Sequence, residues 1–353
     1  MTIGGDGLPA TSALSEGAVA SGRTLGVYVY ASRRGEIVAD AAFGAAEPGV
    51  AAGAGDVGEL RCAVKPLTAI CVGRALEDGS LSLDDTLARW APAGASPRIA
   101  GLTIRRLLSH TAGLPNFLGK DVYAAGFEDY IADLLMREMA PFAWEAQPIY
   151  NHTRAWHLLA WVLQQIHGVP IADLIAGTVT RPLGLSSMSL LDPSAASRPY
   201  QRRTAQGGYA AIRDTDAATF VTRPNPGYGG FSTMKDLGRL YEHLMRCRTD
   251  GGVLRPETMG LLLQDHGGVR FLSGRLLLPY GLGFFLGGGA AGFGSEWDPD
   301  GFGHMGSIRR HYAVAVLCVP RHETVVAVRL SSIALSNNVL FADLGRALHA
   351  DLN

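Results

Sequence analysis

The sequence predicts an α/β domain that is built from both ends of the chain and carries a helical insertion. Runs rich in β-forming residues lie towards the two ends, and segments with helical spacing of apolar residues fill the middle. Strands at both ends, with helices between them, indicate one sheet assembled from the two ends of the chain. The 353 residues suffice for one large domain or two smaller ones with a substantial core.

The N-terminal part predicts a lead-in, a hairpin and a helix. Residues 1–22 are rich in Gly, Ala and Ser, and we expect a flexible lead-in there. Residues 25–30 and 36–43 are β-rich and flank a turn, so they predict a β-hairpin. Residues 65–78 carry apolar residues at helical spacing and end at Gly79, which is typical of a helix C-terminus.

The middle of the chain is predicted to be mainly helical. Apolar periodicity indicates helices over 102–108, 127–139, 154–166 and 171–180. The stretch from about 192 to 230 is rich in Pro, Gly, Arg and Ser, and it predicts irregular structure.

The C-terminal part returns to the sheet. Two helices are predicted over 234–246 and 256–263. Three β-rich runs and a closing helix follow, over 281–286, 311–319, 323–330 and 334–352.

Composition and charge exclude several classes of function. The chain is 47% hydrophobic and 18% charged, with a formal net charge of −1, so it has no electrostatic footprint for nucleic acid or an anionic membrane. No apolar run approaches the roughly 20 residues of a membrane-spanning helix. No histidine pair has metal-ligand spacing and no glycine-rich fingerprint for a nucleotide is present, so we predict no metal and no cofactor.

Cysteine usage indicates the compartment. The spacing resembles neither a zinc site nor a disulfide framework; the four cysteines are Cys62, Cys71, Cys247 and Cys318. The first residues also lack the basic and apolar segments of a secretory signal. Together these observations predict a reducing, cytoplasmic environment, in which a reactive thiol survives.

Cys62 and Lys65 form the most informative pair. They are three positions apart at the start of a predicted helix, so both side chains lie on one face, about one turn apart. A nucleophile beside an amine is a recognised activation pair. By itself the spacing is weak, because a buried cysteine usually behaves as a small apolar residue.

Several segments match one family in order and at compatible spacing. They are 102–115 (LTIRRLLSHTAGLP), 229–237 (GGFSTMKDL), 280–283 (YGLG) and 304–306 (HMG). With these motifs the chain resembles the serine β-lactamase-like superfamily, in its branch of class C β-lactamases, penicillin-binding esterases and D-aminopeptidases.

This resemblance implies an α+β fold, namely an α/β/α sandwich with an antiparallel sheet flanked by helices and a mostly helical insertion domain. Residues 23–85 and 215–353 are expected to form the sandwich, and residues 86–214 the helical domain. The active site is expected between the two.

The resemblance also implies roles for Cys62 and Lys65. Cys62 stands where the family carries its nucleophilic serine, and Lys65 stands where a lysine assists proton transfer. A thiol at a helix N-terminus, near a cation, is expected to have a lowered pKa. Three interpretations stay open: an active thiol nucleophile, a lapsed site, and a serine exchanged for cysteine in otherwise intact machinery.

The second motif of the family, Tyr-x-Asn, is irregular here and allows two alignments. Without a gap, Asn151 and the two residues after it fall on the motif, and Asn151 becomes a substrate-binding group. With one inserted residue, Tyr150 supplies the phenol that relays protons, and His152 replaces the amide-bearing asparagine. We prefer the second alignment, which makes His152 a candidate base for Cys62.

The third motif carries His304 where many relatives have lysine. It is expected on the strand beside the nucleophile, where the backbone of Gly306 and Ser307 and the amide of Cys62 are candidates for an oxyanion hole. His110, within the first signature, is expected to be structural.

The sequence therefore predicts an acyl-transfer enzyme, acting as a transacylase, thioesterase or esterase/amidase-like enzyme through an acyl-thioester on Cys62. A thioester is attacked well by amines, which favours a role in a biosynthetic pathway. The expected partners are a small-molecule acyl donor and acceptor, with an acyl carrier protein as an alternative donor. The rival hypothesis is a lapsed relative that binds a small molecule or a partner in the inherited cleft.

Overall fold

The computed structural model describes residues 7–114, 126–136, 147–191, 199–204, 208–212, 224–271, 276–308 and 311–353. The strands in these residues are β1 (Gly26–Arg33), β2 (Glu36–Glu47), β3 (Val50–Ala51), β4 (Gly58–Glu59), β5 (Gln201–Arg203), β6 (Tyr209–Ala211), β7 (Phe231–Ser232), β8 (Phe285–Leu286), β9 (Phe302–Ile308), β10 (His311–Val319), β11 (Thr324–Leu330) and β12 (Ser332–Ile333). The helices are α1 (Pro9–Ala20), α2 (Lys65–Glu77), α3 (Pro97–Ala100), α4 (Ile104–Leu108), α5 (Phe127–Met136), α6 (Arg154–His167), α7 (Ile171–Ile175), α8 (Met234–Cys247), α9 (Pro256–Leu263), α10 (Gly288–Ala291) and α11 (Asn337–Leu352).

A seven-stranded antiparallel sheet forms the centre of the fold, in the order β3-β2-β1-β11-β10-β9-β8. The predicted hairpin is β1 with β2, in which Val27 pairs with Phe43. The two ends of the chain join where β1 pairs with β11, with Val29 opposite Val328. This pairing confirms the α+β class and the antiparallel sheet.

Alternation along β1 fixes what each face of the sheet contacts. Val27 and Val29 point into a core that contains Leu344 of α11, whereas Tyr28 and Tyr30 point into the core that contains α8. Successive side chains of a strand point to opposite faces, so this eight-residue strand is buried on both sides. The helices α1 and α11 cover one face, and α8 covers the other.

The N-terminal segment corrects one expectation. A flexible lead-in was expected over 1–22; residues 1–6 lie outside the described residues, and from Pro9 to Ala20 the chain forms α1, which packs against α11. Asp351 accepts hydrogen bonds from the Ala10 and Thr11 main-chain amides at 2.9 and 2.8 Å and from the Thr11 hydroxyl at 2.7 Å. The stabilising partner lies at the far end of the chain, so local composition gave no indication of it.

Other differences from the predictions are local. The run over 281–286 is a strand only at its last two residues, and the helix predicted over 127–139 is described as far as Met136. The helix predicted over 171–180 divides into α7 and a π-helical turn, Ala176–Thr180. The domain bounds at 85/86 and 214/215 stay a prediction.

Membrane-spanning potential is limited. Within the described ranges no single helix is long and apolar enough to cross a membrane; the bent pair Arg154–His167 and Ile171–Thr180 passes by length and composition alone.

Two helical glycines give a matched test of the packing of α8 on the sheet. A Cβ at buried Gly238 would lie 2.1 Å from the Tyr30 ring, whereas a Cβ at exposed Gly260 meets nothing within 4 Å. We expect Gly238→Ala to lower the free energy of unfolding by about 1–3 kcal/mol through overpacking. Gly260→Ala is expected to raise it by up to about 1 kcal/mol. Urea unfolding measures both, and equal effects of the two variants would contradict this packing.

Candidate active site

A short turn presents Cys62 at the start of α2. The strand β4 pairs with β7, and the Leu60 amide donates to the Gly230 carbonyl at 2.8 Å. A 3₁₀ turn, Arg61–Val64, then runs into α2 at Lys65. Three residues make one turn of a 3₁₀ helix, so the Cys62 and Lys65 side chains share a face, as predicted.

Arg61 holds this turn in a strained conformation. Its φ is +52°, a left-handed value that is uncommon for a residue with a side chain. The guanidinium is buried, lies 2.5 Å from the Glu59 carboxylate and stacks 5.0 Å from the centre of the Tyr228 ring. These contacts fix the residue before Cys62, as is common for backbone strain at functional sites.

Gly306 lets the strand β9 lie directly against the turn. A Cβ at this position would lie 2.5 Å from the Leu60 carbonyl oxygen and 2.8 Å from the Arg61 Cβ. Only glycine tolerates such an approach without displacement of the turn. The third motif is therefore next to Cys62, as predicted.

The Lys65 ammonium is buried and held by main-chain carbonyls. Its Nζ donates to the His152 carbonyl at 3.1 Å and to the Gly227 carbonyl, and it lies 5.0 Å from the centre of the Tyr150 ring. Burial lowers the pKa of Lys65 to about 8, against the opposing effect of the Cys62 thiolate.

Cys62 lies within the same cluster and is 3% exposed. Its Sγ is 3.6 Å from the His152 Nδ1. Burial raises the pKa of this thiol, but the Lys65 charge, the His152 contact and a hydrogen bond with Tyr150 outweigh it. The net result is a pKa of about 6, which makes the thiolate the main form at neutral pH.

The other three cysteines behave in the opposite way. Burial raises the pKa of Cys71 to about 12, and it raises the pKa values of Cys247 and Cys318 as well. All four cysteines are free and buried. The low pKa of Cys62 therefore comes from its neighbours and not from burial as such.

Tyr150 and His304 complete the cluster. The Tyr150 hydroxyl lies 3.5 Å from the His304 Nε2, and the His304 Nδ1 lies 2.9 Å from the Met305 carbonyl oxygen. Burial and the Lys65 charge hold the pKa of His304 well below its usual value. The neutral ring donates from Nδ1, so Nε2 carries no proton, and the single phenolic proton is donated to the Cys62 thiolate. Burial and the Cys62 charge raise the pKa of Tyr150, which therefore stays protonated.

Asn151 has a structural role, which corrects its assignment as a substrate-binding group. Its Nδ2 donates to the Leu114 carbonyl at 3.0 Å, and its Oδ1 accepts from the Ala155 amide at 3.1 Å. These bonds cap the first turn of α6 and tie it to the loop after α4. The amide is used by the backbone because a helix N-terminus needs acceptors for its free N–H groups.

Four partly exposed residues lie next to the buried cluster. His152, Ser307, Tyr228 and Phe271 are partly exposed, whereas the rest of the cluster is buried. The Tyr228 hydroxyl donates to the Ser307 carbonyl at 3.3 Å, and the Phe271 ring lies 4.9 Å from that of Tyr150. The exposed edge of the cluster is therefore partly aromatic.

Sequence reasoning missed Arg61, Tyr228 and Phe271 as residues of the site. Tyr228 directly precedes the Gly229-Gly230 signature, so its position was an available signal. Arg61 and Phe271 gave none, because a left-handed φ and a contact across the chain have no local pattern.

Metal binding has no support in the described part of the chain, where no group of three His, Cys, Asp or Glu side chains is placed to hold an ion. The absence of a metal and a cofactor stays a prediction.

The motifs, the antiparallel sheet and the buried cluster at the start of α2 together define a protein of the Beta-lactamase family. A model of this family matches residues 12–350, so the chain belongs to it. The resemblance found from the sequence is thereby confirmed, while the exchange of serine for cysteine at position 62 stays a prediction.

Individual relatives include an esterase and a penicillin-binding protein. Esterase EstB of Burkholderia gladioli is 27% identical over 274 residues, which cover 67% of this chain and 69% of the esterase. Penicillin-binding protein 4* of Bacillus subtilis (strain 168) is 29% identical over 175 residues, or 46% of this chain and only 36% of that protein.

A solved structure extends the likeness to the whole fold. The structure of EstCE1, a hydrolase with promiscuous acyltransferase activity, superposes with a TM-score of 0.79 at 21% identity and covers 97% of this chain and 98% of its own. At this identity the likeness shows the fold. Family membership supports an acyl-transferring or hydrolytic chemistry.

The Cys62 thiolate is directly measurable. We expect the ultraviolet absorption of the thiolate, taken as wild type minus Cys62→Ser, to rise with a midpoint near pH 6 because Lys65, His152 and Tyr150 stabilise the anion. The matched control Cys71→Ser should leave this transition in place, since the Cys71 thiol titrates near 12. A midpoint at the ordinary thiol value of about 8.5 would contradict the described electrostatics.

Proposed function

We propose that this protein is an acyl-transfer enzyme that forms a covalent acyl-thioester on Cys62. One observation carries the proposal: of the four free thiols, Cys62 alone has a lowered pKa, and it lies beside an ammonium, a phenol and an imidazole. Perturbed ionisation among such groups is typical of functional sites. The esterase relative supports the same class of chemistry.

The ionised pair of Cys62 and Lys65 supports the first half-reaction, in which the enzyme is acylated. The Cys62 thiolate attacks the carbonyl carbon of an ester, thioester or amide, a C–S bond forms, and the carbonyl electrons move onto oxygen. When this oxyanion collapses, the bond from carbon to the leaving group breaks. The leaving group takes a proton from the Lys65 ammonium, which the pKa of about 8 makes a ready acid, or from the Tyr150 hydroxyl.

The second half-reaction restores the proton. As it attacks the thioester carbon, an acceptor amine, thiol, alcohol or water gives its proton to the group that lost one in the first half-reaction, neutral Lys65 or the Tyr150 phenolate, either directly or through His152. The C–S bond breaks, and the thiolate returns. The Tyr150 hydroxyl then donates its hydrogen bond to the returned thiolate.

The main-chain amides of Cys62 and Ser307 are our candidates for the oxyanion hole. The Cys62 N–H is in the first turn of its 3₁₀ helix and has no acceptor within that helix. The Ser307 carbonyl accepts from the Tyr228 hydroxyl, and the N–H of a strand residue points to the same side as its carbonyl. The close packing of β9 on the turn, which Gly306 permits, supports an oxyanion hole formed by these two amides.

The partners and the compartment are part of the proposal. A small-molecule acyl donor and acceptor suffice for the chemistry, and an acyl carrier protein is an alternative donor because carrier thioesters exchange with thiolates. Four free cysteines suit a reducing, cytoplasmic environment and a biosynthetic role.

The decisive experiment measures intact mass after incubation with acyl thioesters, activated esters and a penicillin. We expect an added acyl mass that is lost in Cys62→Ala and retained in the matched control Cys71→Ala, because only Cys62 is a thiolate at neutral pH. Absence of any adduct, in protein with an intact thiolate, would reject covalent catalysis and favour the rival binding protein.

Removal of the Lys65 charge tests the proton roles. We expect Lys65→Met to raise the thiolate midpoint of Cys62 and to slow acylation at pH 7 by about 10²-fold or more. The matched control is Lys235→Met, which removes a lysine charge paired with Asp40 at 3.6 Å. Equal acylation rates in the two variants, measured by mass against time, would remove Lys65 from the mechanism.

A further inference from the structure

We propose that His110 is a positioning residue for Tyr150: its imidazole holds the adjoining main chain so that the Tyr150 hydroxyl stays beside Cys62 and His304. The proposal deepens the proposed function, in which Tyr150 donates to the thiolate, and it rests on that function. His110 lies in the loop after α4 and touches neither the sulfur nor an acyl group.

The main chain at Tyr150 is held through two successive amides. The Tyr150 N–H donates to the Arg270 carbonyl at 2.8 Å, and the next N–H, of Asn151, donates to the His110 Nδ1 at 2.9 Å. The two acceptors come from distant parts of the chain. Loss of either acceptor releases one side of the peptide that carries the phenol.

The ring of His110 also supports the phenol directly. Its centroid lies 4.4 Å from that of Tyr150 at an interplanar angle of 31°, and 4.9 Å from that of Tyr280. The imidazole is 2% exposed, so it has little freedom to move. Tyr150 is thus held through both its main chain and its ring.

The hydrogen bond from the Asn151 N–H to the His110 Nδ1 requires a neutral His110 imidazole, and the surroundings of the ring keep it neutral. Burial, followed by the positive charge of Lys65, holds the pKa of His110 well below its usual value. A neutral ring with its proton on Nε2 leaves Nδ1 free to accept, whereas a protonated ring has no acceptor.

The loop that carries His110 is itself braced. The Arg106 guanidinium donates twice to the Thr111 carbonyl, at 3.2 and 3.1 Å, and the Ser109 hydroxyl donates to the Arg105 carbonyl at 2.8 Å. His110 has a φ of +60°, in the left-handed region that asparagine and glycine tolerate best among the residues. The family signature at 102–115 therefore builds a rigid acceptor rather than a reacting group.

The left-handed φ of His110 determines which substitutions serve as matched variants. His110→Asn places a side-chain oxygen near the position of Nδ1 and suits the backbone, so it should keep the acceptor. His110→Leu fills the space without an acceptor, and His110→Gly removes the acceptor without backbone strain if the leucine variant does not fold. Tyr150→Phe removes the hydroxyl itself.

The readout is the Cys62 thiolate midpoint, measured without any acyl donor. Because the Tyr150 hydroxyl lowers the pKa of Cys62, we expect Tyr150→Phe to raise this midpoint by about one to two pH units. His110→Leu, or His110→Gly, should raise it in the same direction, and His110→Asn should stay close to wild type. In a Tyr150→Phe background the His110 variants should add no further shift, because they act through the same hydroxyl.

Two results would overturn the proposal: an unchanged midpoint in folded His110→Leu or His110→Gly, and a shift that adds in full to that of Tyr150→Phe. This measurement is separate from catalysis. If wild type is never acylated but the midpoints follow the expected pattern, the proposed function fails and the positioning role of His110 stands.

Discussion

A buried ammonium group is the constraint on which the site depends. Lys65 has almost no access to water, and its charge is balanced by the carbonyls of His152 and Gly227 and by the Cys62 thiolate. A buried charge without such partners is costly, so each partner must be held in place. Glycine at position 227 allows both carbonyls to approach the ammonium, because a Cβ there would lie 2.4 Å from the His152 carbonyl oxygen.

The sulfur and the ammonium determine each other's ionisation. Burial alone raises the pKa of a thiol and lowers that of an amine, which favours two neutral groups. At Cys62 the attraction between thiolate and ammonium, together with the other neighbours, outweighs the effect of burial. The pKa of Cys62 therefore falls below that of Lys65. The pair is therefore ionised near neutral pH, when a nucleophile and an acid are both needed.

The elements around this pair serve to place it. The turn before α2 is fixed by the ion pair of Arg61 with Glu59 and by the close approach of β9 at Gly306. Tyr150 comes from the segment before α6, where acceptors from two other segments hold its main chain. The pairing of β1 with β11 joins the N-terminal and C-terminal strands in one sheet, and this sheet brings these parts of the chain into one cluster.

The sequence by itself determined the fold class, the family, most helix and strand positions, and the pairing of Cys62 with Lys65, because these depend on local periodicity and short spacings. It also indicated Tyr150, His152 and His304 as candidates. Only the tertiary structure decided that Asn151 is used by the backbone, that α1 packs on α11, and that Arg61 stacks on Tyr228 in the turn before Cys62. These features depend on contacts between distant residues and on a left-handed backbone, which leave no periodic pattern in the sequence.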